Sequence, residues 1–349
     1  MTPNNRPAAP PFSALVDKIT QIGIERHRDA ILANARRNAP FAAKSVKQIP
    51  PPAGAKRRSA IVLSAGPSIR RARTIERLRD SGYEGTIIAA DGAYAACLRA
   101  GVIPDFVVTL DPHETRMVRW FGDPDYEAHI RDDDYFERQD LDVEARKNAI
   151  KRNLDDMALI DRHAAGTRAI VASSAPENVV ARLRQAKFDA YWWNPLVDDP
   201  TKPGSITREI YDVLPLPCLT TGGTVGTAAW AFAVQILKPD VLAVAGMDLG
   251  YYPDTPITMT QTYYELLDMA GGDEERVKEF FTWMDFPLTG VTFMTDPTYF
   301  WYRKNFLHLA RRSPRPTLNC TEGGTLFGDN IDCVSLDAFL AKAKETARG

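Results

Sequence analysis

Cysteine is scarce and scattered. Cys97, Cys218, Cys320 and Cys333 are spread through 349 residues, with no CxxC spacing and no histidine close to any of them. That excludes a zinc site built on paired thiolates, and four cysteines are too few to staple a chain of this length, so reduced, mostly buried thiols are expected. Long apolar runs are also missing: nothing approaches the ~20 residues that a membrane-spanning helix needs. The opening MTPNNRPAAPPFSALVDK has proline and asparagine but no apolar centre, so it is not a secretory signal, and the expected compartment is the cytoplasm. Charge of one sign is absent as well. Lys and Arg number 43 against 45 Asp and Glu, a net charge of −2, whereas a general nucleic-acid binder needs a cationic surplus. There is no internal repeat.

What is present suits a soluble globular protein: 44% hydrophobic and 25% charged residues, in a length that allows one large domain or two. Residues 1–11 carry the composition of disorder. A helix follows, with Ser13 as N-cap, Leu15, Ile19 and Ile22 on one stripe, and Pro40 as its stop. QIPPPAGAKRRS is a linker. Residues 1–58 are therefore expected to form an N-terminal arm, and 59–349 the main domain. The basic arm, with Arg26, Arg28, Arg36 and Arg37, suits a solvated helix or a docking surface.

From Ser59 strands and helices alternate. AIVLS, GTIIAAD, DFVVTLD, RAIVAS, DAYWWN and DVLAVAGMD read as six strands, with a late strand in TLNCTEGGTLFG and a closing helix in SLDAFLAKAKETA. Apolar runs without alternation, joined by helices, predict an α/β fold with a mainly parallel sheet covered on both faces. Two insertions interrupt it: a charged, helical one at 123–165 and an irregular, aromatic-rich one at 250–313 containing at least two helices.

In such a sheet ligands lie outside the carboxyl ends of the strands, so the residues after each strand are the candidates. After the first come Gly66, Pro67 and Ser68, either an anion cradle at a helix N-terminus or an ordinary tight turn. After the second comes Asp91, placed to take ribose hydroxyls or to cap a helix. After the third, Asp111, His113 and Glu114 offer a base or a magnesium ligand. TTGG then opens a helix: Thr221, Gly222, Gly223 and Thr224 form a second anion candidate, unless the glycines serve only a close helix–sheet contact. Asp248 ends the sixth expected strand, and Asn319, Thr321 and Glu322 follow the late one. Two anion sites and several acids at one edge suit a nucleotide-activated substrate.

The blocks NAPFAAKSVKQI…SAIVLSAGPSI, IIAADGAYAACLRAGVIPDFVVTLDP, TTGGTVGTAAWAFAVQILKPDVLAVAGMDLGY and LNCTEGGTLFG resemble, in order, successive blocks of the motility accessory factor (Maf) glycosyltransferases. The Maf core is shared with the 6-hydroxymethylpterin diphosphokinase (MptE) family. The resemblance implies a Rossmann-like domain and transfer of a nonulosonic-acid sugar from a CMP donor to a hydroxyl of a protein or glycan acceptor, with no tightly bound cofactor. It implies Gly66, Pro67, Ser68 and Asp91 at the nucleotide, and Thr221, Gly222, Gly223 and Thr224 at the donor. Asp111, His113 and Asp248 would serve catalysis, with Glu114, Asn319 and Glu322 as further candidates. The pterin branch implies ATP-dependent pyrophosphoryl transfer instead, with Mg²⁺ on Asp111. A non-catalytic nucleotide-binding module is the third expectation.

Overall fold

The computed structural model describes Val16, residues 27–132 and residues 143–348. The expected N-cap Ser13 and the stripe Leu15, Ile19 and Ile22 lie outside the described residues, as do residues 1–11.

Nine strands form one sheet. They are β1 (Ser59–Leu63), β2 (Thr86–Ala90), β3 (Phe106–Thr109), β4 (Arg168–Ala172), β5 (Asp189–Leu196), β6 (Cys218–Thr220), β7 (Val241–Ala245), β10 (Thr317–Asn319) and β11 (Ile331–Cys333). Their order is β11-β10-β7-β1-β2-β3-β4-β5-β6, and every pairing within it is parallel. The remaining strands, β8 (Thr282–Asp285) and β9 (Thr292–Thr295), form a separate antiparallel hairpin. The expected sixth strand is thus the seventh: CLT is a strand of only three residues, too short for an apolar run to show. The stretch 250–313 contains the hairpin as well as the helices Tyr263–Met269 and Pro297–Ala310.

Strand periodicity divides the core in two. Ile61, Leu63, Ala89, Val107 and Val171 pack on one face, against the helices Thr74–Asp80, Asp91–Arg99, Glu177–Gln185 and Leu336–Arg348. Ala60, Val62, Ile88, Val108 and Ile170 face the other way, onto the helices Val225–Phe232 and Pro297–Ala310. Both faces being covered is what the unalternated apolar strands require. Phe106 meets Phe232 edge-on at 5.2 Å between ring centroids, a favoured aromatic geometry.

After the GPS turn come two helices, Ser68–Arg71 and Thr74–Asp80, rather than one, because Arg73 between them is left-handed at φ 50°. The helix opened by TTGG continues from Val225–Phe232 into a π-helical turn, Ala233–Leu237, closed by left-handed Lys238. Residues 27–38 are helical. Ile31, Leu32 and Ala35 pack against Ile206 and Ile210. Asn38 Nδ2 donates to the carbonyls of Ser173 and Ala175 at 2.9 and 2.7 Å, and Asn34 Nδ2 to that of Ser174 at 2.9 Å. These bonds dock the helix onto the carboxyl ends of the strands.

Candidate functional site

The chain runs outward from β1 to β6 and returns to β7 on the other side of β1. The switch in direction therefore falls between β1 and β7, where a doubly wound sheet opens its crevice. Here that position is filled from within. Gly66 N donates to the Gly246 carbonyl at 2.9 Å. Ser68 N and Oγ donate to the Asp248 carboxylate at 3.2 and 2.7 Å. The donors of the GPS turn thus meet the carboxyl of Asp248. Gly66 is required by that contact: a Cβ there would stand 1.9 Å from Asp248 Oδ2 and 2.4 Å from the Gly246 carbonyl. Burial pushes the Asp248 carboxyl up to about 7, opposed by its bonds to Ser68.

The open space lies farther along the edge, over β3 to β6. A cavity of about 530 Å³ is lined by Asp111, Ser174, Leu196, Thr221, Gly222 and Gly223, and walled by the faces of two helices. His27 and Ile31 come from the first helix. Trp301, Tyr302, Asn305, His308 and Leu309 come from Pro297–Ala310. That helix begins where Asp296 Oδ1 accepts from Tyr299 N at 2.8 Å, which satisfies one of its unpaired amides. The sequence reading expected helices within 250–313 but did not place one of them at the site. The signal was there: 301, 302, 305, 308 and 309 recur at helical spacing.

The TTGG turn sits under the wall. Gly222 and Gly223 are left-handed, at φ 57° and 91°, a conformation natural to glycine. A Cβ on Gly223 would meet the Trp301 ring at 2.4 Å and the Tyr302 ring at 2.7 Å. Thr224 caps the helix, its Oγ1 accepting from Thr227 N at 3.1 Å. Thr221 Oγ1 accepts from Gly223 N at 3.4 Å.

Asp111 is partly open to the cavity, yet enclosed enough that burial pushes its carboxyl up to about 6. Tyr302 is raised too, by burial first and then by the Asp111 and Asp296 charges. Asp91 lies one strand away and is 3% exposed. Burial first, and repulsion by Asp111 next, push it up to about 7. Its Oδ1 accepts from Gly92 N at 2.7 Å.

The other candidates are elsewhere. His113 is the residue before the short helix Glu114–Met117, its Nδ1 3.3 Å from Thr115 Oγ1. The Glu114 side chain is exposed, 4.0 Å from Arg37. Asn319 is spent inside its own turn, with Nδ2 donating to the Leu326 carbonyl at 2.6 Å and Oδ1 accepting from Thr321 N at 3.0 Å. Glu322 pairs with Arg77 at 2.9 Å and accepts from Leu336 N at 2.9 Å, tying the last helix to the sheet. The structure thus brings Asp111 together with Thr221, Gly222 and Gly223. It joins Asp248 instead to Gly66 and Ser68.

Among known proteins, residues 30–127 match the family described as 6-hydroxymethylpterin diphosphokinase MptE-like. An uncharacterized protein of Treponema pallidum (strain Nichols) is 42% identical over 53 residues, 15% of this chain and 24% of that protein. The structure of a Maf glycosyltransferase from Magnetospirillum magneticum AMB-1 superposes with a TM-score of 0.54 at 16% identity, covering 92% of this chain and 41% of that one. The chain therefore spans less than half the length of either protein. The fold is the Rossmann-like α/β fold of that glycosyltransferase, and the resemblance seen in the sequence blocks has a counterpart in each comparison: residues 30–127 are similar to the MptE-like family, and the fold is similar to the Maf structure.

Proposed function

We propose that this chain is a glycosyltransferase that moves a nonulosonic-acid-type sugar from a CMP donor to a hydroxyl acceptor. The observation that carries this reading is the cavity, which sets a titratable carboxylate, Asp111, opposite a glycine-rich helix start, Thr221–Gly223, beneath an aromatic wall. A helix N-terminus favours negative charge, so the donor phosphate lies at the TTGG turn. The acceptor oxygen bonds to the anomeric carbon as its proton passes to Asp111. The bond from that carbon to the phosphate oxygen breaks, and the nucleotide leaves with the electron pair, steadied by the helix start. A carboxyl at about 6 is ionised at neutral pH and more basic than an ordinary aspartate, as a general base should be.

Release of CMP from CMP-linked sialic acid, together with calorimetry of CMP binding, tests this. Asp111→Asn is expected to retain CMP binding and to lose about 10²-fold or more in release rate. Binding of ATP–Mg²⁺ with no binding of CMP overturns the reading.

One observation favours the pterin-type alternative, an ATP-dependent pyrophosphoryl transfer. Asp91 and Asp111 are neighbours close enough to repel. Among the described residues no three His, Cys, Asp or Glu side chains gather as a metal site, but Mg²⁺ is commonly held by one or two carboxylates plus substrate phosphates. Asp91 and Asp111 would hold it, and the ion would neutralise charge on the phosphates. This alternative requires turnover to vanish with EDTA. Nucleotide binding without turnover of either donor is the signature of a non-catalytic module.

A further inference from the structure

The hairpin β8–β9 has one covered edge and one open edge. Met294 N donates to the Tyr251 carbonyl at 3.0 Å, and Tyr251 N to the Met294 carbonyl at 2.7 Å, so Met294 turns its backbone away from β8. Trp283 stands opposite Met294. Opposed residues in an antiparallel pair exchange both backbone bonds or neither, so Trp283 turns its own N–H and C=O outward. Asp285, two residues on, does the same, while Phe286 N returns to the Val291 carbonyl at 2.9 Å. Among the described residues nothing takes up the outward groups of Trp283 and Asp285.

An open strand edge is normally guarded by Lys, Pro or a bulge. β8 pairs with β9 residue for residue and contains neither Lys nor Pro. It displays Trp283, which is 54% exposed, and on the same face Asp285, since side chains alternate along a strand. The surroundings are acidic. Between Tyr263 and Asp285 seven acidic residues stand against two basic ones, in a chain whose net charge is only −2. Glu279, three residues before the strand, and Asp285 on it are both exposed. Of the two bases, Lys278 is taken up by Glu275 at 2.8 Å. A second copy of the chain laid β8 on β8 would set these acids against each other, which is unfavourable.

We propose that the free edge of β8 docks an extended, cationic segment of a partner polypeptide. The segment adds as a further strand, its backbone meeting the outward groups of Trp283 and Asp285. A Lys or Arg side chain lies over the Trp283 ring, whose face attracts a cation, and others face Asp285 and Glu279. The backbone bonds supply affinity, and the acids select the sign of the partner's charge. β9 runs through Asp296 into the helix Pro297–Ala310, so the segment binds the same unit that carries the aromatic wall of the cavity. Docking there does not depend on which transfer the cavity performs.

The test is amide hydrogen exchange, read by NMR on the full chain, with two synthetic nonapeptides, KVKVKVKVK and EVEVEVEVE, each at up to about 1 mM. The basic peptide is expected to slow exchange at Trp283 and Asp285 about tenfold or more. Thr282 and Met284, already bonded across the hairpin, should not change, and the acidic peptide should protect none of the four. Trp283→Thr, which keeps a strand-forming residue, should weaken the basic peptide about tenfold. Glu279→Lys combined with Asp285→Lys should reverse the preference between the peptides. The wild-type comparison stands by itself if either variant unfolds. Equal protection by both peptides, or by neither, overturns the docking edge. Protection of the same amides that rises with protein concentration, together with a dimer in ultracentrifugation, overturns the cationic partner and gives the edge to a second copy.

Discussion

Single atoms decide more here than residue types. Gly66 is a glycine that permits a close approach, and Asp248 is among the groups that come close to it. Gly66→Ala is expected to destabilise the chain by about 1–3 kcal/mol, because its Cβ falls 1.9 Å from Asp248 Oδ2 and 2.4 Å from a backbone carbonyl and only the first can give way. Urea denaturation with an unchanged m-value measures it, and an unchanged midpoint would contradict the contact. The sequence showed that an anion suits the GPS turn but not which anion, because Ser68 and Asp248 are 180 positions apart. Asp111 was legible because a strand end is a local feature. Trp301 and Tyr302 were not, since an aromatic residue looks the same in a core as on a wall.

At the level of elements, apolar runs of three to five residues identified every longer strand of the sheet, while β6, β10 and β11, three residues each, depend on neighbours rather than on pattern. Only β10 was signalled, by the turn that follows it. The helix over residues 27–38 is held to the site's edge by two asparagines. Asn38→Ala removes both bonds to the Ser173 and Ala175 carbonyls, and about 1–3 kcal/mol of stability should go with them. Hydrogen exchange should show the loss first in residues 27–38, with the distant helix Leu336–Arg348 unaffected. Equal deprotection everywhere would mean that the helix does not open as a separate unit.

For the whole molecule, three buried carboxyls, Asp91, Asp111 and Asp248, are held at about 7, 6 and 7 by burial. A folded-state value above the unfolded one, about 4, means that the native state binds more protons between roughly pH 4 and 7. Stability therefore falls as pH rises through that window. Below it, the surface carboxylate of Asp240, kept low by Arg315 and Arg58, acts in the opposite sense. The urea midpoint of the ligand-free protein is expected to be higher near pH 5 than near pH 8, with the slope reduced in Asp91→Asn; a midpoint rising steadily to pH 8 would contradict it. The strand order carries a consequence in time as well. β1 lies inside the finished sheet, between β2 and β7, but β7 begins only at Val241. During synthesis, the edge of Ser59–Leu63 that β7 will cover has no permanent neighbour until about 180 further residues have been made. An apolar strand with an open edge invites pairing with other chains. This protein's vulnerability to misassembly is therefore set by how long a nascent chain waits for its seventh strand.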